Sequence, residues 1–307
     1  MPRRKEHLNV LQETTPGRAH NGNVSLAYEV FGPSTGTPLL LLMGLGMQML
    51  LWHNDFCRAL AAQGFRVARM DNRDVGLSTH LTHLGAPSVF DLIVRPRKAA
   101  RYSLSDMAAD AIAVLDDLGW DTANVVGGSL GGMIAQTLAI EHPRRARSLT
   151  SIMSSPSAKI GRASIRLSMK IARVLSQPID SAEQAGQQLV ELYALIGTPP
   201  TNYPLDVDWL HDVGAASFQR AHDPAGKLRQ QAAMFAAPNR SRALSTLTLP
   251  TLVMHGTLDP LIKPAGGYAT AKAIPGAKLV MLDGVGHGAF PRQIWPTMLD
   301  DITDIAK

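Results

Sequence analysis

The five residues GGSLG at 127–131 place a single serine between glycines, with one leucine directly after it. The run NVVG at 124–127 predicts a strand before it, and the pattern of 130–142 predicts a helix after it. A serine at such a strand-to-helix turn projects from a tight backbone, and the glycines let strand and helix approach closely. The pattern predicts a nucleophilic Ser129 at a helix N-terminus, with an ordinary glycine turn as the alternative.

Short apolar runs alternate with helical patterns on both sides of this turn. Strands are predicted at 24–31, 39–43, 66–70, 148–153, 251–255 and 278–282. The run LLLLM is apolar on both faces, as a strand in a parallel sheet covered by helices requires. Ser103 is predicted to cap one of the intervening helices. The alternation predicts an α/β fold with a mostly parallel central sheet and helices on both faces.

The alternation lapses for almost a third of the chain, where every pattern is helical. Helices are predicted at 160–176, 181–196, 205–221 and 224–237. We therefore expect an N-terminal tail at 1–20, a sheet core at 21–153 and 249–307, and an inserted helical lid at 154–248. Extra packing without a role in substrate choice is the alternative for the insertion.

These features resemble the α/β-hydrolase fold family, and the resemblance extends over nearly the whole chain. In that family a serine, an acid and a histidine follow one another along the sequence. The resemblance implies Asp259, in HGTLDPLI, as the acid and His287, in GVGHGAF, as the histidine. His287 would then take the Ser129 proton while Asp259 orients the imidazole. A loop histidine and a turn aspartate are the alternatives, and Asp283 competes for the role of acid.

The resemblance also implies an oxyanion hole made of two backbone N–H groups. One is the amide of Leu130, and the other is the amide of Leu45 in the turn MGLG at 43–46. The family usually has His-Gly at the start of this turn, where this chain has Met43 and Gly44. The backbone donor does not depend on that side chain. A plain glycine-rich turn is the alternative.

A further match is the stretch MDNRDVGLST at 70–79, which has the family's D-x-R-x-x-G-x-S spacing. We interpret Asp71, Arg73 and Gly76 as organising this loop, because polar side chains there satisfy buried backbone groups. The motifs together are similar to the branch that contains anthracycline methylesterases and bacterial carboxylesterases. That narrower likeness does not carry the methylesterase substrate to this chain.

Composition limits the partners. The net charge is +5 and aromatic residues make up 5% of the chain, which argues against nucleic-acid binding. A basic stripe on one predicted helix (Arg162, Arg166, Lys170 and Arg173) indicates either a solvated face or weak contact with an anionic membrane surface. The single Cys57 predicts a small core residue. Because no signal-like or membrane-spanning run is seen, a cytoplasmic protein is expected, and the oligomeric state is left open.

The expected activity is hydrolysis of a carboxylic ester, through an acyl-enzyme, on a small molecule of medium size and apolar character. Thioesterase, lipase or phospholipase, and carbon–carbon bond hydrolase share the same triad and stay open. A ligand-binding module that has lost turnover is the alternative from another class. No metal-ligand spacing, Walker loop or dinucleotide motif is present, so neither a metal nor a cofactor is expected.

Overall fold

The computed structural model describes residues 14–307 and contains an eight-stranded sheet. The strands are β1 (Thr15–Asn21), β2 (Val24–Phe31), β3 (Thr37–Leu42), β4 (Phe65–Met70), β5 (Ala123–Gly128), β6 (Ala146–Ile152), β7 (Thr251–Gly256) and β8 (Lys278–Leu282). Their spatial order is β1-β2-β4-β3-β5-β6-β7-β8. The β1–β2 and β2–β4 pairs are antiparallel, and the other pairs in this sheet are parallel. The predicted α/β fold class is confirmed.

Helices cover this sheet and fill the long insertion. They are α1 (Asn54–Ala62), α2 (Val89–Val94), α3 (Pro96–Ala99), α4 (Leu104–Asp117), α5 (Leu130–Glu141), α6 (Ile165–Leu175), α7 (Ala182–Ile196), α8 (Val207–Arg220), α9 (Pro224–Ala236), α10 (Ser241–Leu244), α11 (Ala265–Ala273) and α12 (Trp295–Ala306). The predicted capping box at Ser103 is present, since its side chain and that of Asp106 each bond the other's backbone N–H.

Alternate residues of β3 point into opposite layers of the core. Leu40 and Leu42 pack with residues of α4 and α5, whereas Leu39 and Leu41 pack with residues of α1 and α12. All four leucines are fully buried. A run that is apolar on both faces is therefore explained by the two helical layers, and burial of such side chains contributes roughly 1.5–3 kcal/mol each.

The N-terminal boundary differs from the prediction. Residues 15–20, expected to belong to a tail, form most of the edge strand β1, which pairs residue by residue with β2. The strand was missed because it is polar and mostly exposed, so its backbone hydrogen bonds leave no apolar pattern in the sequence. The turn at Gly22 and Asn23, with Gly22 at φ +57°, was the available hairpin signal. Residues 1–13 of the expected tail lie outside the described residues.

The insertion between β6 and β7 is helical, as the patterns predict, although its first helix begins five residues late. That helix, α6, starts at Ile165 because Ser164 caps it by accepting the Leu167 N–H. Helices α7 and α8 pack on each other around a cluster of their own. Its buried members are Leu192, Tyr193, Ile196 and Leu210. These apolar residues therefore give the insertion a core of its own.

Candidate active site

Ser129 lies in the strained turn that joins β5 to α5. Its backbone has φ +56° and ψ −117°, a conformation that non-glycine residues adopt rarely and at a cost of order 1–3 kcal/mol. Neighbouring glycines make the turn sterically feasible. A Cβ added at Gly127 would lie 2.2 Å from the Gly131 carbonyl oxygen, and one added at Gly131 would lie 2.1 Å from the Leu42 carbonyl oxygen. The structure thus gives the GGSLG pattern its physical reason.

The serine, the histidine and the acid form one hydrogen-bonded series. His287 Nε2 is 3.1 Å from Ser129 Oγ, and His287 Nδ1 is 2.7 Å from Asp259 Oδ2. Both His287 and Asp259 are buried, whereas Ser129 is partly exposed. Because the carboxylate can only accept, Nδ1 carries the proton and Nε2 is the free base that faces the serine. This geometry permits proton removal from a hydroxyl that a ligand can reach.

Asp259 is held in place from two sides. Its Oδ1 accepts the N–H groups of Leu261 and Ile262, each at 2.9 Å. Burial alone would raise the pKa of this carboxyl, but the neighbouring His287 and hydrogen bonds from His255 and His287 outweigh burial and lower the pKa to about 2. The acid is therefore ionised across the neutral range, as an orienting partner for an imidazole must be.

His255, at the end of β7, is a contact that sequence reasoning missed. Its ring is fully buried, with Nε2 2.7 Å from the Ile262 carbonyl oxygen and 3.4 Å from Asp259 Oδ2. An Nε2–H tautomer satisfies both acceptors. The motif HGTLD places this histidine four residues before the acid, which was the signal available in the sequence. The side chain helps to fix the carboxylate that faces His287.

Asp283, the competing acid, is not brought to the histidine ring. It is exposed, and its Oδ1 accepts a hydrogen bond from Thr257 Oγ1 at 3.3 Å. The contact with His287 Nδ1 is made by Asp259. In the sequence, Asp259 was the first choice through its flanking segment HGTLDPLI, and Asp283 was the second choice because it lies near a strand end, four residues before His287.

The turn at 43–46 lies directly beside the serine. A Cβ added at Gly44 would be 3.2 Å from Ser129 Cβ and 3.7 Å from Ser129 Oγ. Asn72 Nδ2 donates to the Met43 carbonyl oxygen at 2.9 Å, and Gln230 Oε1 accepts the Gly46 N–H at 2.8 Å. Leu45 therefore sits between two anchored residues. Neither Asn72 nor Gln230 was expected in this role, because both are distant from the turn in sequence.

Asp71 links this turn to the insertion. One oxygen of Asp71 accepts the Met49 N–H, and the other accepts the Leu77 N–H and the guanidinium of Arg220 at the end of α8. A Cβ at Gly76 would lie 2.1 Å from the Asp71 carboxylate, so the glycine is needed for the close approach. The prediction that this segment organises a loop is confirmed for Asp71.

Arg73 organises the same segment through a different partner. It forms a buried, bidentate pair with Asp110 of α4, at 2.5 and 2.7 Å. Breaking such a pair strands a buried charge, at a cost of roughly 3–5 kcal/mol. Arg73 therefore ties the loop to the helical layer beneath it.

The histidine loop is anchored by the end of α7. The His287 N–H donates to the Ile196 carbonyl oxygen at 2.7 Å, and the Gly286 N–H donates to Thr198 Oγ1 at 3.1 Å. The insertion thus contacts both the turn beside the serine and the loop that carries His287. Residues 14–307 contain no group of three or more His, Cys, Asp or Glu side chains placed to hold a metal ion.

A serine on a tight strand-to-helix turn, a buried His-Asp pair and an eight-stranded mostly parallel sheet define a hydrolase-type α/β protein. The chain belongs to the α/β hydrolase fold family, whose model matches residues 37–292.

Two relatives and one solved structure are similar to this chain over most of its length. The chain is 28% identical to rhodomycin D methylesterase DnrP of Streptomyces peucetius over 286 residues, which cover 87% of this chain and 90% of the relative. It is 27% identical over 272 residues to a pimeloyl-acyl-carrier protein methyl ester esterase of Aeromonas hydrophila, covering 87% and 94%. The crystal structure of an enol-lactonase from Burkholderia xenovorans has a TM-score of 0.71 at 22% identity, covers 94% of this chain and 99% of its own, and shows the shared fold.

The lowered pKa of Asp259 predicts a pH-dependent contribution to stability. Folding lowers the pKa of the Asp259 carboxyl from its ordinary 3.8 to about 2, so its ionised form stabilises the folded state. This contribution to the free energy of unfolding is fully present above about pH 4 and is lost as the pH falls towards 2. Asp259→Asn should lower the free energy of unfolding by roughly 2 kcal/mol at neutral pH, with the deficit shrinking in acid. Denaturant titrations at stepped pH measure it. The exposed Asp283→Asn control should stay within about 0.5 kcal/mol of wild type. A deficit from Asp259→Asn that does not change with pH would contradict the assignment.

Proposed function

We propose that the chain is a serine hydrolase that cleaves carboxylic esters through an acyl-enzyme. The observation that carries the proposal is the series Ser129 Oγ, His287 Nε2, His287 Nδ1 and Asp259 Oδ2, with distances of 3.1 and 2.7 Å. A serine hydroxyl becomes an effective nucleophile only beside a base that can take its proton. The names of the methylesterase and esterase relatives support an ester as the bond that is cleaved.

In the proposed reaction, Ser129 Oγ attacks the ester carbonyl carbon while its proton moves to His287 Nε2. The imidazolium, stabilised by ionised Asp259, then gives that proton to the departing alcohol oxygen, which leaves an acyl group on Ser129. Water attacks this second ester while its proton moves to His287 Nε2, and the imidazolium returns that proton to Ser129 Oγ as the carboxylic acid is released. The oxyanion of each tetrahedral intermediate is stabilised by the N–H groups of Leu45 and Leu130, and removing one such donor typically costs about 100- to 1000-fold in rate.

The proposed substrate is a small-molecule ester of medium size with an apolar portion. The curated relatives act, by their names, on methyl esters of larger molecules, which fits a small alcohol beside an extended acyl part. Thioesters, phospholipids and carbon–carbon bonds remain chemically open to the same triad, because the triad fixes the type of attack and not the leaving group. A chain that binds ligands without turnover is the remaining alternative.

A p-nitrophenyl ester series from acetate to palmitate tests the proposal. Wild type should hydrolyse part of the series, and Ser129→Ala should lose turnover by about a million-fold, because the nucleophile and its base act as a unit. Ser176→Ala, which removes an exposed serine near the end of α6, is the matched control and should keep wild-type rates. Equal rates for wild type and Ser129→Ala on every ester would overturn the proposal.

Weak contact with an anionic membrane surface is a second candidate property, carried by α6. Its Ile165 and Met169 are 82% and 69% exposed, and with Arg166, Lys170 and Arg173 they line a shallow groove. Exposed apolar side chains bordered by cations are suited to the headgroup region of an anionic bilayer. Arg162, the fourth cation of the predicted stripe, lies outside α6 in a β-bridge with Ile262. None of the described helices is long and apolar enough to cross a membrane.

Vesicle flotation tests this contact. Wild type should float with phosphatidylserine vesicles and less with pure phosphatidylcholine, and Met169→Ser should weaken flotation because an apolar anchor is lost. Tyr268→Ser, at an exposed aromatic residue of α11, should not change it. Flotation that does not depend on lipid charge, or is unchanged by Met169→Ser, would leave α6 as a solvated face.

A further inference from the structure

A cavity of about 230 Å³ lies next to the histidine loop. It is bounded by the segment 51–56, the connection between α7 and α8, and the segment 289–295. Six aromatic side chains line it, from Trp52, Phe56, Tyr203, Trp209, Phe290 and Trp295. Since a cavity of about 150 Å³ is enough to hold benzene, this one has room for an aromatic ring and a short substituent.

The aromatic walls are mutually packed and therefore stable surfaces. The His53 ring lies between those of Trp209 and Trp295, with centroid separations of 5.1 and 5.2 Å. Phe56 meets Trp295 edge to face at 5.5 Å. Such geometry offers ring faces and ring edges to a ligand, and each further ring–ring contact adds roughly two- to tenfold in affinity beyond the buried area.

The charged side chains at the cavity are paired with one another, so none of them needs an oppositely charged ligand. This favours a neutral ligand. Arg292 bonds Asp55 at 2.9 Å and the His53 ring at 2.7 Å, and its guanidinium lies over the Trp295 ring at 4.9 Å. Asp206 is a further carboxylate, 4.0 Å from Arg292. Burial, and then the charge of Arg292, lower the pKa of His53 to about 4, so that its ring is neutral near pH 7.

The cavity is adjacent to the segments that carry Ser129 and His287. The Trp52 ring lies 3.8 Å from the position of a Cβ at Gly128, the residue before the serine. On the other side, Ala289 lines the cavity two residues after His287, and Thr198 lines it while holding the Gly286 N–H. The cavity is thus close enough to the triad for one ligand to place a ring in the cavity and an ester a few bonds away, near Ser129.

We propose that this cavity binds a neutral aromatic ring, and that the enzyme prefers esters whose acyl part carries such a ring a few bonds from the scissile carbonyl. The substrate part of the inference rests on the proposed ester hydrolysis. The binding part stands on the cavity alone, so the two can fail separately.

The first test compares matched methyl esters, which keep the small alcohol of the proposed substrate. Methyl phenylacetate, methyl 3-phenylpropanoate and methyl 4-phenylbutanoate are each paired with the counterpart in which a cyclohexyl ring replaces phenyl, because methanol is then the leaving group in every ester. Wild type should show a kcat/KM ratio of at least about fivefold in favour of the aryl member of one pair or more, expressed mainly in KM. Trp209→Leu, which removes a wall of the cavity, should bring that ratio towards one. Trp120→Phe, in the opposite core layer, should leave it unchanged.

The second test measures binding without turnover. The chain has four tryptophans, and Trp52, Trp209 and Trp295 all line the cavity, so their fluorescence reports its occupancy. The tryptophans are excited at a wavelength that benzyl alcohol does not absorb. Benzyl alcohol should then change the tryptophan fluorescence saturably, at a concentration at least about fivefold below that needed for cyclohexylmethanol. Leu205→Trp, which fills the cavity instead of opening it, should weaken this binding while the protein still melts cooperatively.

The outcomes separate the claims. Ser129-dependent hydrolysis with aryl-to-cyclohexyl ratios near one in all three pairs would overturn the substrate preference and leave the ester hydrolase standing. Absence of all ester hydrolysis, together with saturable and selective benzyl alcohol binding, would overturn the proposed function and keep the aromatic site. Equal responses to benzyl alcohol and cyclohexylmethanol would overturn the site itself.

Discussion

The close approach of β5 and α5 to β3 is the constraint on which the site depends. Gly131 packs so tightly against the Leu42 carbonyl, and Gly127 against Gly131, that no side chain fits at either position. This contact forces Ser129 into a positive φ and turns its hydroxyl towards the carboxyl edge of the sheet. The same contact brings Gly44, at the end of β3, against the serine. The same packing therefore positions both Ser129 and the turn proposed to form the oxyanion hole.

The inserted helices hold two loops of the site in place through hydrogen bonds. The end of α7 anchors the histidine loop through Ile196 and Thr198, and α9 holds the turn beside the serine through Gln230. The base and the turn thus depend on contacts with the insertion as well as on the sheet. Whatever its role in substrate choice, the insertion is part of the framework that positions the chemistry.

Much of this arrangement was predictable, because it depends on residues that are close to one another in the sequence. The two-sided apolar run of β3, the Ser103 cap and the GGSLG turn are each determined by neighbours in sequence, and each matches the structure. The edge strand β1 was missed because backbone pairing with β2 needs no apolar side chains. His255, Asn72 and Gln230 were missed because a hydrogen bond between distant segments has no sequence period. The resemblance had favoured Asp259 over Asp283, and only the structure gives the distance from Asp259 to His287.

The central claim is that His287 activates Ser129 for nucleophilic attack. Labelling with a fluorophosphonate probe, followed by mapping of the modified peptide, tests it most directly, since the probe reacts with an activated serine whatever the natural substrate is. The account predicts rapid labelling at Ser129 in the wild type and loss of labelling in His287→Ala, with the fold retained. Labelling at another residue, or equally fast labelling of Ser129 without His287, would contradict it.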